Sequence, residues 1–251
     1  SFTQYGGEDW EWAHRAWVGG AVFAHVPDAV AWHNGPDWGG RGDAGDSAEG
    51  VRTDAEVRAD ADARQRRKNA ETLQLAQTIT VRESAPTAVL VARPDVVVTV
   101  QAAISEAVLF VCVDSLLGAL PHARIVVPGP LPEVLRSDPR VVSAAGASRD
   151  ATDAARVRVD IQNAVRVLEP DAPHAARFAR AVEAVGVGTL GEVVFTDAQG
   201  AVMLTVSSRR AALRRARWND DTLFDTLVEY APWLTPITSE PSVAAYLGGW
   251  A

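Results

Sequence analysis

From about residue 87 onward, short apolar runs alternate with longer stretches whose apolar residues recur at helical spacing. Residues 96–100 (Val-Val-Val-Thr-Val) form a β-branched run, the pattern of a strand buried on both faces. Ser105 is placed to cap a helix whose apolar face runs through Val108, Val111, Cys112 and Leu116 to Leu120, and Pro121 ends it. A second strand is predicted over 124–127, closed by Pro128-Gly129-Pro130, and a third over 140–142. Further along, 174–185 reads as a helix, 192–196 as a strand leading to Asp197, 201–206 as a strand and 209–217 as a helix. Alternation of this kind predicts a mostly parallel sheet covered by helices.

The first 86 residues have a different texture. Residues 1–41 are dense in Gly and Trp, with Trp10, Trp12, Trp17, Trp32 and Trp38 all inside them. A helix is expected to open at Glu8 and close at Gly19-Gly20. Strand patterns then follow over 21–26 and, after Pro27, over 29–33. Residues 42–86 mix acids with arginines and have almost nothing large and apolar before Leu73. They read as a solvated connector, helical over 55–76 because Ala, Arg, Glu and Gln favour helix. No fixed-period repeat is present.

Composition narrows the function classes. The 251 residues carry a formal net charge of -8, which argues against a general nucleic-acid binder, whose footprint is basic. Cys112 is the single cysteine, so an internal disulfide and a cysteine-based metal cluster are both excluded. That usage suits a reducing compartment, and a cytoplasmic location is the expectation. No apolar run approaches the ~20 residues of a membrane-spanning helix. The basic residues are arginines apart from Lys68.

The stretch with chemical content is Tyr5-Gly6-Gly7-Glu8-Asp9-Trp10-Glu11-Trp12. Two glycines permit a close backbone approach, and two acids then open a helix whose N-terminus favours negative charge. A carboxylate held there can accept a proton from a substrate hydroxyl. It can equally do no more than complement the helix dipole, and the residues alone leave both readings open. His33 has the same ambiguity: it stands where a strand gives way to Asn34-Gly35-Pro36, a place for a functional or a structural histidine. His14, His25, His122 and His174 show no ligand spacing and receive no role.

The order Gly-Gly-Glu-Asp, helix with Arg15, Gly-Gly, short strand, Pro27, then Trp32-His33 resembles the C-terminal half of inverting GT-A glycosyltransferases. It is similar to the galactosyltransferase, polypeptide N-acetylgalactosaminyltransferase and chondroitin-polymerase-like group. The resemblance spans about 40 residues. It implies that Asp9 is the general base, that Glu8 positions the acceptor or the turn, and that Gly6 and Gly7 leave room for substrate. By the same resemblance Trp10 or Trp12 supplies a platform for a sugar face, and His33 ligates the Mn²⁺ or Mg²⁺ that holds a donor diphosphate. The donors would be nucleotide sugars, and the acceptors saccharide or lipid-linked hydroxyls. The family's Asp-x-Asp motif and nucleotide-binding strand precede its Gly-Gly-Glu-Asp turn, whereas only five residues do so here. The chain is therefore expected to begin within a catalytic domain and to lack most of a donor site. Asp60-Ala61-Asp62 has the spelling of that motif in the wrong order, and is read as coincidence.

Residues 87–251 resemble the opening of a second GT-A domain, with 96–100, then Asp114-Ser115-Leu116-Leu117, then 125–127. Pro128-Gly129-Pro130 replaces the acids expected after its second strand, and Asp197 stands alone where two acids are needed for a metal. The expected fold class is thus α/β: the C-terminal part of a Rossmann-like GT-A domain (1–41), a charged connector (42–86), and a degenerate, mostly parallel GT-A-like domain (87–251). The competing class is a non-catalytic pseudo-glycosyltransferase acting as a scaffold. Arg209, Arg210, Arg214, Arg215 and Arg217 fall within nine residues, with 210, 214 and 217 on one helix face. They read either as a solvated or internally paired face, or as a contact for anionic lipid at the inner membrane surface, a diphosphate-linked acceptor or an acidic partner.

Overall fold

The computed structural model describes residues 8–32, 53–79, 89, 93–168 and 175–249. Its centre is a seven-stranded sheet of order β3-β2-β1-β4-β7-β6-β8. The strands are β1 (Val96–Val100), β2 (Arg124–Val127), β3 (Val141–Ser143), β4 (Val157–Ile161), β6 (Leu190–Thr196), β7 (Val202–Ser208) and β8 (Asp225–Tyr230). Every pairing is parallel except those of β7, which runs against both β4 and β6. The protein is α/β with a mostly parallel, mixed sheet, and its order 3-2-1-4 is that of one doubly wound half. A separate ribbon pairs β5 (Val165–Val167) antiparallel with β9 (Leu234–Pro236).

One face of the sheet holds the core. Val98, Val100, Ile125, Val159 and Ile161 are fully buried there against α3 (Glu106–Ala119), whose Val108, Cys112 and Leu116 are buried too. Ser105 caps α3 as expected, its hydroxyl accepting from the Val108 amide at 3.1 Å. Helix α5 (Ala175–Ala184) adds Phe178, which packs with Phe195 and Trp233 at ring-centroid distances of 6.2 and 5.6 Å. The opposite face is thinner. Strand register lines up Val142, Val126, Thr99, Asp160, Thr205, Val194 and Val228 across it. Among the described residues a small cluster of Val97, Val126 and Ala155 is buried on that side, with Ala155 just after α4 (Arg149–Ala154).

Two helices precede the sheet. Helix α1 (Glu8–Val18) buries Val18 alone, while α2 (Asp54–Thr78) buries none of its residues. Helix α2 is closed at its start by a capping box in which Thr53 and Glu56 bond reciprocally. The strands expected over 21–26 and 29–33 do not form within the described residues, because no neighbouring strand pairs with them; instead a turn stands at Pro27-Asp28. His33 itself lies outside the described residues.

Candidate functional site

Helix α1 opens on acids, with Glu8, Asp9 and Glu11 in its first turn. Asp9 is exposed, Glu8 half-buried, and Glu11 pairs with Arg15 one turn on at 3.2 Å. Trp10 and Trp12 are 71% and 60% exposed, a large apolar area to leave in water, and the edge of Trp12 meets Phe23 at 6.4 Å. Glu8, Asp9, Trp10 and Trp12 are thus gathered at one helix end, with Asp9 and the two indoles open to solvent. Gly6 and Gly7, like His33, fall outside the described residues.

The other end of α1 is held by the arginine cluster. Helix α6 (Arg209–Trp218) lies against it, and three guanidinium groups reach carbonyls of the turn that follows α1, whose amides in turn bond the carbonyls of Arg15, Ala16 and Trp17. Arg217 donates to the Gly19 carbonyl at 3.2 Å, Arg214 to Gly20 at 3.0 Å and Arg210 to Ala21 at 3.2 Å. Arg210 is buried, lies over the Trp17 ring at 5.1 Å and also donates to the Gly186 carbonyl. Cations at this end also oppose the partial negative charge of the helix dipole. Gly20 has φ +97, and a Cβ there would come within 2.9 Å of Arg214, so glycine is required by both conformation and space. Of the two readings of the arginine run, internal pairing therefore accounts for Arg210, Arg214 and Arg217.

Because β7 runs antiparallel, α6 begins at the edge of the sheet where the parallel strands start. The Arg209 amide bonds the Arg156 carbonyl there, just before β4. At the same edge Arg156 grips Asp95 through Nη2 at 2.7 Å and Nε at 3.0 and 3.2 Å and donates to the Val185 carbonyl, tying the starts of β1 and β4 to the end of α5. His14 lies in this neighbourhood. Burial holds its imidazole below the usual pKa, against the fields of Asp95 and Glu11. Sequence spacing gave His14 no role, because Asp95 and Arg156 are remote in the chain.

In open α/β sheets ligands sit outside the carboxyl ends of the strands, where strand order reverses. Here that point lies between β1 and β4, at Gln101-Ala102 and Gln162-Asn163-Ala164. The two turns are stitched by Gln101 N–H to the Ile161 carbonyl at 2.9 Å and Ala164 N–H to Ala102 at 3.1 Å. The exposed side chains Gln101, Gln162 and Asn163 are amides. Asp197 stands, as expected, after the strand over 192–196, in the turn between β6 and β7. Its Oδ1 accepts from the Gln199 and Ala201 amides at 2.9 and 2.8 Å. Sequence reasoning missed β4 and so missed its turn, although the alternation Val157-Arg158-Val159-Asp160-Ile161 is a period-two signal.

Among the described residues no three of His, Cys, Asp and Glu converge where they could hold a metal ion. Among them, too, no helix is long and apolar enough to cross a membrane.

No protein-family model matches the sequence, and no curated protein matches it. Among solved structures, a chain from Desulfovibrio desulfuricans G20, named provisionally as a nucleotide-diphospho-sugar transferase, is similar to this one with TM-score 0.33 and 11% identity. The match covers 54% of this chain and 80% of that one.

Proposed function

We propose that this chain is part of an inverting glycosyltransferase that uses a nucleotide sugar. The observation that carries the proposal is the Gly6-Gly7-Glu8-Asp9 sequence at the start of α1, with Asp9 exposed beside two exposed tryptophans. In the proposed reaction the acceptor hydroxyl gives its proton to the Asp9 carboxylate as its oxygen bonds to the anomeric carbon. The bond from that carbon to the donor's diphosphate breaks on the opposite side, so configuration inverts and the diphosphate leaves. Glu8 orients the turn, and an indole face of Trp10 or Trp12 stacks on a sugar ring. A divalent cation bound through His33 would help hold the diphosphate, and residues outside the described set would have to complete its ligands. Contact of Arg209 and Arg215 with anionic lipid at the inner membrane face belongs to the same proposal.

The test is Asp9→Asn in the intact protein, which keeps size and removes the proton acceptor. The expected outcome is a kcat lowered by roughly 10²–10⁴-fold with donor affinity little changed. Turnover close to normal in that variant would rule Asp9 out. The second reading, a pseudo-glycosyltransferase scaffold, is favoured by the amide-only side chains at the β1–β4 turn and the tied Asp197. It predicts no transfer by the intact protein with any nucleotide sugar.

A further inference from the structure

Beside the β5–β9 ribbon lies a cavity of about 380 Å³, within the size range of small-molecule sites. Its floor is Val111 of α3, and its walls come from Arg166 of β5 and from the chain that leaves β9 toward α7 (Val243–Tyr246). The upper rim reaches the carboxyl edge of the sheet. The Ile237 amide bonds the Ala164 carbonyl, and the Ala164 amide bonds Ala102 at the end of β1. Thr238 and Ser239 follow directly on that rim.

The side chains are organised around Tyr246. Its hydroxyl donates to Asp114 at 2.7 Å, and the edge of Phe110 meets its ring at 6.2 Å, so α3 holds the ring on two sides. The guanidinium of Arg166 lies over that ring at 4.9 Å. Contact with the ring restrains the guanidinium while leaving N–H donors available to a ligand. Among the described residues Arg166 forms no salt bridge, and the Asp114 carboxylate accepts from the Tyr246 hydroxyl. The hydroxyls of Thr235, Thr238 and Ser239 also line the cavity, and none of its lining residues is acidic.

A guanidinium held on a ring, beside Thr235, Thr238 and Ser239 and in a cavity with no acidic lining residue, suits an anion with several oxygens. A phosphate can take the guanidinium fork on two oxygens and hydroxyls on the third. The remaining volume, floored by Val111 and edged by Ile237 and Ala245, has room for a sugar-sized body. We propose that this cavity binds a phosphate monoester of a sugar-sized molecule through Arg166, held in place by its stacking on Tyr246.

The test requires no transfer chemistry, so it stands apart from the fate of Asp9. Amide NMR spectra of the full chain are titrated with glucose 6-phosphate, inorganic phosphate and glucose. Glucose 6-phosphate is expected to shift the amides of Arg166, Thr238 and Ser239 saturably. Inorganic phosphate is expected to shift the same amides more weakly, and glucose not at all. Arg166→Ala should weaken hexose-phosphate binding by about tenfold or more, the worth of charge-assisted hydrogen bonds. Arg166→Lys should fall between, since it keeps the charge and loses the fork. Tyr246→Phe should weaken binding several-fold by releasing the ring from Asp114. Unchanged shifts elsewhere in the spectra establish that each variant is folded. Absence of a saturable shift at millimolar phosphate ester, or a titration of Arg166→Ala that matches the parent, overturns the site. Equal binding of phosphate and hexose phosphate overturns the sugar-sized ligand.

Discussion

Helix α2 is 25 residues long and buries none of them, whereas α3 is 14 residues long and buries seven. The two are held by different physics. In α2 the sequence itself favours helix: Ala, Arg, Glu and Gln dominate, a capping box opens it, and acids stand in its first turn where the dipole favours them. Helix α3 is rich in Val and Leu, the former a poor helix former beside alanine, and is fixed by the sheet it covers. Helix α1 stands between these extremes, with one buried residue and a C-terminus gripped by arginines. A helix in this protein is therefore a poor guide to core, and the buried face has to be located before stability or function is assigned to it.

The contrast breaks most visibly under truncation of a leucine in each helix. Leu116 is fully buried in α3, so Leu116→Ala should cost about 2–5 kcal/mol through lost transfer energy and a residual cavity. Leu73 in α2 is 67% exposed, and Leu73→Ala should change stability by less than ~0.5 kcal/mol. Urea unfolding followed at the tryptophans measures both. Comparable losses at the two sites would mean that α2 is covered in solution.

The same contrast decides what could be read from sequence. The strand over 96–100 and the capped helix after it were legible because burial on both sides leaves an unbroken apolar run and a clean cap. The strands that escaped were β4, β5, β8 and β9: Arg158 and Asp160 interrupt the apolar residues of β4, β8 is exposed over most of its length, and β5 and β9 are three residues each. At the candidate site, the acids and tryptophans opening α1 were legible from local order alone. The clamp on its C-terminus was half legible, as a helix face carrying Arg210, Arg214 and Arg217. What those groups would meet was hidden, since Gly19, Gly20 and Ala21 lie almost 200 residues earlier. Pairing of Tyr246 with Asp114, and of Arg156 with Asp95, was hidden for the same reason.

A smaller effect sharpens the intermediate standing of α1. Arg210→Met keeps much of the apolar stem but removes the donors to Gly186 and Ala21. The two carbonyls lose a charged partner, and a loss of about 1–3 kcal/mol is expected. Hydrogen exchange should quicken at the end of α1 and leave the amides of α3 protected. Exchange in α1 that matches the parent would show that the clamp does not hold the helix.

Smaller again is the capping box of α2. Thr53→Ala removes the hydroxyl that accepts from the Glu56 amide, at a cost of about 0.5–2 kcal/mol to the helix. Since α2 buries nothing, that cost should appear as fraying in far-UV dichroism and in local exchange, not in the unfolding midpoint of the sheet. A shift of the global midpoint would reveal coupling between α2 and the core.

The smallest effect separates a carboxylate of the sheet from one on the exposed helix. Asp160 lies on the thin face of β4, where burial raises its carboxyl above the ordinary carboxylate range and Arg158 offsets that only in part. An acid with a raised folded pKa holds its proton more tightly in the folded protein than in the unfolded chain. Its charge therefore costs stability at neutral pH, and the cost fades as pH falls through the folded pKa and is gone below the unfolded value near ~3.9. Asp160→Asn removes the charge at every pH while keeping the shape. The variant should melt higher than the parent at pH 7, and the difference should shrink as the pH is lowered toward about 4. Asp62→Asn on the exposed surface of α2 supplies the reference for removing a charge without burial. Thermal melts of the three proteins across that range decide the matter: a gain at Asp160 that stays constant with pH would mean that its burial does not govern its charge.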